Sequence, residues 1–491
     1  MKLIPKFFLV LSICISTVAS ADWATQQEYW YGVAIDGAKS GWAHETVEIE
    51  SESGNLKTSK VQNMTLSRGG MEISILVTSS FIESADGKPI SADTTQEAMG
   101  QSQTNNWVFG DTKLTMTTEA GGDPIIKTIP LPEAKWLTPQ AVRRMFTKKM
   151  EDGANTMTYQ TMAPELGPTV ITVVMTKIGV STRDVLSKEM KVSSWETIND
   201  KMPIVGTEYY ASNGLNVGSS MKAGFGAIEN TIMSKHEALS PINEVPELMV
   251  SLFVEPTMPI DNDATQLTMT ITSKDGGEVF LPSVGSQSAT NNEDGSVTLV
   301  IDLEDPLPAT KEELADEKYL AASSLCDGTD KAVIAIADNV LSALPADASD
   351  MDKALALRAK VCDYIEEKDM STAFASASQT ARNKKGDCTE HGVLLCGVLR
   401  ASGIPSRGVM GMVYVPKVVA PNGVFGWHMW SQAIIDGKWI DLDATLSVPF
   451  TVGHIATLTT SLSDEDFAAE MNGIIAIIGN LEVEVVEEDT E

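Results

Sequence analysis

The chain has 491 residues, 43% of them hydrophobic, which is enough apolar material for ordered cores in roughly two to four domains. Its 67 acidic residues against 36 basic give a formal net charge of −31, and such a surface excludes nucleic acid and anionic membranes as favoured partners. The charge reads as a solubility device rather than as an acidic recognition surface.

Lys2 and Lys6 precede an apolar run from Phe7 to Val18, and Ala19-Ser20-Ala21 is a small-x-small cleavage pattern. Together they predict a signal peptide over residues 1–21 and an exported protein, periplasmic or extracellular. Cys14 lies in that run, but the bulky Ile13 before it does not suit lipoprotein cleavage. No later stretch holds the ~18 uninterrupted apolar residues of a membrane span, so no membrane insertion is expected.

From Asp22 to residue 244 the pattern is strand-like. Tyr29 to Ile35, Ala43 to Ile49, Met71 to Val77, Lys113 to Thr118 and Thr169 to Thr176 alternate or are β-branched, and Gly, Asp, Asn and Ser turns separate them. Asp36-Gly37 reads as a hairpin turn. One helix interrupts the series, with Thr138 as N-cap, Pro139 at the first helical position and Ala141 to Lys149 following. The expectation is a β-rich domain built on a large antiparallel sheet curved around a helix. Asn63-Met64-Thr65 is a formal glycosylation sequon, of consequence only where that machinery exists.

Residues 245–305 read as a small β-sandwich-like segment with strands at Leu248 to Val254, Gln266 to Thr272, Glu278 to Leu281 and Ser296 to Leu303. The composition then turns helical. Thr310 with Glu313 forms a capping box; Val333, Ile336, Ala337, Val340, Leu341 and Leu344 make an apolar stripe ending at Pro345; and Ala354, Leu357, Val361 and Ile365 continue it.

These helices lead to Gly386-Asp387-Cys388-Thr389-Glu390-His391-Gly392. Asp387 suits an N-cap, Glu390 completes a capping box, and Val393, Leu394, Leu395, Cys396, Val398 and Leu399 follow as a buried face. Cys388 is therefore predicted as the first residue of a helix of about four turns that Gly403 and Pro405 end. Free N–H groups and the positive helix end favour a thiolate there. The Asp387 carboxylate opposes that unless capping ties it up. Cys388 and Cys396, eight residues apart on one helix, would be roughly 12 Å apart, beyond disulfide reach. Cys326 and Cys362 are either bridged or simply buried. No cysteine has metal-ligand spacing, and His44, His236, His391, His428 and His454 are scattered, so neither metal nor cofactor is expected.

Gly408 to Val415, Trp427 to Ile435 and Lys438 to Asp443 read as strands, which with the preceding helix make an α+β arrangement. Asp436-Gly437 is a two-residue hairpin signal. Pairing Ile435 with Lys438 sets Trp430 opposite Asp443 and His428 opposite Thr445, so His428 and Asp443 are diagonal neighbours on one face, about 7–8 Å apart at Cα. Asp441 shares the face but lies one pair farther off. A cysteine at a helix start, an imidazole and a carboxylate fit nucleophile, base and orienter. A strand histidine in a tryptophan-rich core is the bland alternative, and spacing alone does not bring Cys388 to His428. His391, three residues after Cys388, is read as a packing or hydrogen-bonding residue, and His454 as structural. The last segment, 461–491, is an extension with a helical stretch from Ser463 to Met471, apolar runs at Ile474 to Ile478 and Leu481 to Val486, and an acidic tail.

The segments GDCTEHGVLLCGVLRASGIPSRGVMG and WHMWSQAIIDGKWIDLDAT resemble the transglutaminase-like superfamily, whose bacterial members have a papain-like core. The resemblance covers roughly residues 310 to 460, and implies a catalytic domain over 306–460 with Cys388 as nucleophile, His428 as base and Asp443 as orienter. Ala444 departs from the proline that often follows that aspartate. The resemblance also implies an oxyanion site formed by the Cys388 N–H and an upstream side chain, with Tyr364 and Gln379 both open. The expected activity is thiol acyl transfer on amide bonds of a protein or peptide, as a cysteine protease or amidase. Cross-linking by a protein-glutamine γ-glutamyltransferase is the alternative, and a catalytically silent binding or scaffold protein is the reading from another class.

Overall fold

The computed structural model describes residues 22–486 except 69–70, 99–100, 120–123, 133–134, 164–166, 202–204, 224–225, 248–251, 369–373, 417–419 and 465–476. The signal segment, the acidic tail, and most of the expected Ser463 to Met471 helix and of the run Ile474 to Ile478 lie outside the described residues, as does the start of the expected strand Leu248 to Val254. Among the described residues, no helix is long and apolar enough to cross a membrane.

The N-terminal part is one 14-stranded antiparallel sheet. Trp23–Ile35 lies at its middle, paired with Ala38–Glu50 on one side and Gly226–Met233 on the other. One wing continues outward as a meander to Ile125–Pro130, and the other runs back to Thr156–Met162. The helix Pro139–Glu151 lies against residues from both wings. Gln140 Nε2 donates to Thr58, Arg143 to Gln27 and Glu45, and Phe146 packs edge-on to Trp195 with ring centroids 5.4 Å apart. The sheet is therefore curved around that helix. Its cap differs from the expected one. Thr138 occupies the N-cap position without a side-chain cap bond, and the buried Glu83 carboxylate accepts from Gln140 N at 3.0 Å instead. An anion at the helix N-terminus satisfies the same free donors from a neighbouring strand.

Residues 245–305 are not a self-contained sandwich. Gln266–Ser273, Gln287–Asn291 and Val297–Asp302 form a four-stranded sheet whose remaining strand is Leu481–Val485 from the C-terminal extension. Met269, Ile271, Val297 and Leu299 pack on Met412, Tyr414, Phe425 and Ile455 of the C-terminal sheet in one buried cluster. The expected strand Glu278 to Leu281 is extended connector. Val279 and Leu281 are apolar because they enter this core, not because they join a ladder.

The C-terminal sheet has the order Lys438–Leu442, Val424–Ile435, Ser406–Val415, His454–Thr460. Helix Cys388–Ala401 lies on it, buried from Glu390 to Arg400. Leu394, Leu395, Val398 and Leu399 share a core with Met429, Ala433 and Ile435 of the sheet and with Val333, Leu357 and Ala381 of the surrounding helices. Ser431 Oγ donates to the Gly392 carbonyl at 3.0 Å, tying helix to strand. Burial of this order, about 1.5–3 kcal/mol per large side chain, fixes the helix against the strand that carries His428.

Candidate active site

The site begins with backbone conformation. Gly386 has φ +149°, and a Cβ there would meet Glu390 Cγ at 2.3 Å, so a residue with a side chain would displace the cap. Asp387 then caps the helix: its Oδ1 accepts from Thr389 N at 2.9 Å, while Asp387 N donates to Glu390 Oε2 at 2.9 Å. The Asp387 carboxylate is thus engaged in capping. Glu390 Oε1 also accepts from Ala375 N at 2.9 Å. Burial, with the neighbouring Asp387 charge, pushes Glu390 up to about 7, against the hydrogen bonds it accepts. Cys388 occupies the first helical position and is half-buried, so its thiol is reachable.

The strand turn places the imidazole. Asp436 and Gly437 both have positive φ, +50° and +77°, as a two-residue type I′ hairpin requires. The register runs from Ile435 opposite Lys438 to Ser431 opposite Leu442, so His428 and Asp443 project to one face. His428 Nε2 and Asp443 Oδ2 are 2.8 Å apart, with side chains only 6% and 1% exposed. The Cys388 thiol lies near enough to the His428 ring to raise its proton affinity. Because Nε2 is taken by Asp443, Nδ1 is the nitrogen left for the thiol. Burial opposes the charge on His428, but the hydrogen bonds and charges of Asp443 and Cys388 outweigh it and raise the imidazole to about 10. For Asp443, burial is likewise outweighed by His428 and His454, which hold its carboxyl far below the usual range. Asp443 Oδ1 accepts from Thr445 N at 2.7 Å, and Arg358 donates to the carbonyls of Asp443, Leu446 and Val448, fixing the segment after it.

The structure thus brings Cys388, His428 and Asp443 together. Asp441, the other carboxylate of that face, is used elsewhere: it accepts from Trp430 Nε1 at 2.8 Å, Gln432 Nε2 at 2.7 Å and Ser286 N at 2.8 Å. His391 is fully buried and its Nδ1 donates to the Asp387 carbonyl at 2.6 Å, a local structural bond. Tyr364 gives its hydroxyl proton to the Ala381 carbonyl at 2.8 Å. Gln379 uses its carboxamide oxygen to accept from Ser376 N at 3.0 Å, which leaves its NH2 group uncommitted to the cap. Cys326, Cys362 and Cys396 are free thiols, the first and last buried.

One residue of the site had no sequence signal. His454 lies with Nε2 3.3 Å from Asp443 Oδ2, fully buried, on a strand whose pairing with Ser406–Val415 no local turn announces. His428, Asp443 and His454 are the one cluster of metal-ligating types among the described residues. Their contacts at 2.8 and 3.3 Å are within hydrogen-bond range, and both imidazoles share one carboxylate oxygen.

The family model described as the transglutaminase-like superfamily matches residues 335–444. That segment is transglutaminase-like. It contains Cys388, His428 and Asp443 and stops short of His454. No curated protein matches the chain. Among solved structures, a β-barrel-like protein of Brucella abortus is 12% identical with a TM-score of 0.34, over 42% of this chain and 94% of its own. A provisionally named cysteine protease of Cytophaga hutchinsonii is 18% identical with a TM-score of 0.29, over 49% of this chain and 90% of its own. A provisionally named protease of Parabacteroides distasonis is 12% identical with a TM-score of 0.18, over 72% and 65%. The protein thus combines a large β-rich N-terminal part with a transglutaminase-like C-terminal region.

Proposed function

We propose that this chain is an exported cysteine enzyme with a papain-like core that cleaves amide bonds of proteins or peptides, as a protease or amidase. The observation that carries the reading is the His428 ring, held by Asp443 on Nε2 and partnered by the Cys388 thiol at a helix start. In this reading the Cys388 sulfur gives its proton to His428 as it attacks the carbonyl carbon. The Cys388 N–H, one of the free donors of the first helical turn, holds the oxyanion together with the Gln379 amide. His428 passes its proton to the leaving amine as the C–N bond breaks. Water then attacks the thioester, His428 takes its proton, and the carbon–sulfur bond breaks to release the acid. Export rests on Lys2, Lys6, the run Phe7 to Val18 and Ala19-Ser20-Ala21, and N-terminal sequencing of the mature chain tests it.

The direct test is alkylation by iodoacetamide, read residue by residue by mass spectrometry. Cys388 is expected to react much faster than the fully buried Cys396, and His428→Ala to slow the Cys388 reaction. Equal, slow labelling untouched by His428→Ala would refute the enzyme in favour of a silent scaffold. Incorporation of a primary amine into an amide substrate faster than its hydrolysis would replace water by an amine as acceptor.

A further inference from the structure

We propose that His454 is a second positioning residue of the site, holding the same oxygen of the Asp443 carboxylate that His428 holds. The inference rests on the acyl-transfer reading above, and His454 itself lies outside the segment the family model matches. His454 opens the strand His454–Thr460, opposite Val413 of the neighbouring strand, while His428 is opposite Gly411 on that strand's other side. Gly411 makes the approach possible. A Cβ there would meet Ile455 O at 2.0 Å and the Trp430 ring at 2.9 Å, so a side chain would push apart the elements that bring the imidazoles to one carboxylate.

The hydrogen bonds define the role. His454 Nε2 faces Asp443 Oδ2 at 3.3 Å, and its Nδ1 faces the Thr451 carbonyl at 3.0 Å and the Thr451 hydroxyl at 3.4 Å. The carboxylate only accepts, so Nε2 donates to it. Oδ2 thus has two N–H partners, His428 and His454, and Oδ1 has Thr445 N. With three donors around it, the carboxylate has one rotation that satisfies all of them. That rotation points Oδ2 at His428. The ring itself is clamped, stacked on Phe450 at 4.1 Å and edge-on to Trp430 at 5.3 Å between centroids. Its polar contacts are with Asp443 and Thr451, so it acts through Asp443.

Two amide variants separate donation to Asp443 from packing. The Gln amide nitrogen takes the place of Nε2, and the Asn amide nitrogen that of Nδ1. His454→Gln therefore keeps the bond to Asp443, and His454→Asn keeps only the Thr451 side. Cys388 alkylation by iodoacetamide at one neutral pH is expected to stay within about threefold of the parent in His454→Gln. It is expected to fall about tenfold or more in His454→Asn, the change that about 1.4 kcal/mol of lost positioning produces in a rate. Equal rates in both variants, whether lowered or unchanged, or the reverse order, would overturn the proposal. His428→Ala measured alongside separates the two levels. If it slows labelling while His454→Asn does not, only the role of His454 fails; if it leaves labelling unchanged, the reading of the site itself fails.

Discussion

Asp443→Asn tests the electrostatic core of the site most directly. The carboxylate is 1% exposed and accepts from His428 Nε2 at 2.8 Å, His454 Nε2 at 3.3 Å and Thr445 N at 2.7 Å. An asparagine has the same shape but only one acceptor atom. With its oxygen toward the imidazoles, its NH2 meets the Thr445 N–H; turned over, it meets two imidazole N–H groups. One buried donor left unpaired costs about 1–3 kcal/mol. Loss of the ionic partner of a buried imidazolium brings the total to about 3–5 kcal/mol. The sign with pH follows from the shifts. His428 is raised from 6.5 to about 10, so its contribution is complete below about 6.5 and is lost as pH rises through about 10. Asp443 is depressed, so its contribution is present above its unfolded value near 3.8 and is lost only as pH falls far below it. The gap between parent and variant is therefore expected to be widest from about pH 4 to 6.5 and to shrink above about 10. Cys396, fully buried in the helix core, reports opening of this region through its own alkylation rate across a urea series. A variant whose Cys396 is as protected as the parent's at pH 6, or whose deficit is as large at pH 10.5 as at pH 6, would refute the argument.

Glu390→Gln is expected to flatten a separate pH dependence. Glu390 is raised to about 7 in the fold, so between about 4.5 and 7 the unfolded chain has released a proton that the folded chain retains, and stability falls as pH rises through that window. Urea midpoints at pH 5 and pH 8 should differ less in the variant; an unchanged difference would remove Glu390 as its source. Asp441→Ala leaves Trp430 Nε1, Gln432 Nε2 and Ser286 N without their shared acceptor, at a cost of about 3 kcal/mol or more. Because Ser286 sits in the turn that leads into the strand Gln287–Asn291 of the four-stranded sheet, hydrogen exchange should quicken at Ser286 and Gln287, and protection there equal to the parent's would sink the assignment of Asp441 as a tie between sheets.

What could be read ahead of the structure was local. Asp436-Gly437 fixes a turn within two residues, and the turn fixes the register, so the proximity of His428 and Asp443 followed from pairing alone. The cap at Asp387 and Glu390 was legible for the same reason. Non-local pairing was not. Nothing in Gln266 to Ser273 announces a partner at Leu481–Val485, and the alternation behind the expected large antiparallel sheet does not give the pairing of Trp23–Ile35 with Gly226–Met233. The cap of the helix at Pro139 was misassigned because Thr138 has the right chemistry while Glu83, far away in sequence, reaches the same donors. His454 combines these difficulties: a residue of plain chemical character whose meaning depends on a strand two places across the sheet from His428.

The carboxylates beside Cys388 show how the fold accommodates negative charge next to a sulfur meant to carry it. Asp387 is one residue away and Glu390 two beyond, and both are held by backbone N–H groups of the helix start and of Ala375. Those bonds turn the acidic oxygens toward the cap. Burial raises Glu390 to about 7, so near neutral pH it carries only part of a charge. On the other side His428 stays protonated to about 10, because Asp443 is kept ionised by two imidazoles at once. The field at the thiol is then set by an imidazolium in contact and by carboxylates turned to their own donors. A strongly acidic chain can in this way build a locally cationic surrounding for one cysteine from one imidazole and a helix end.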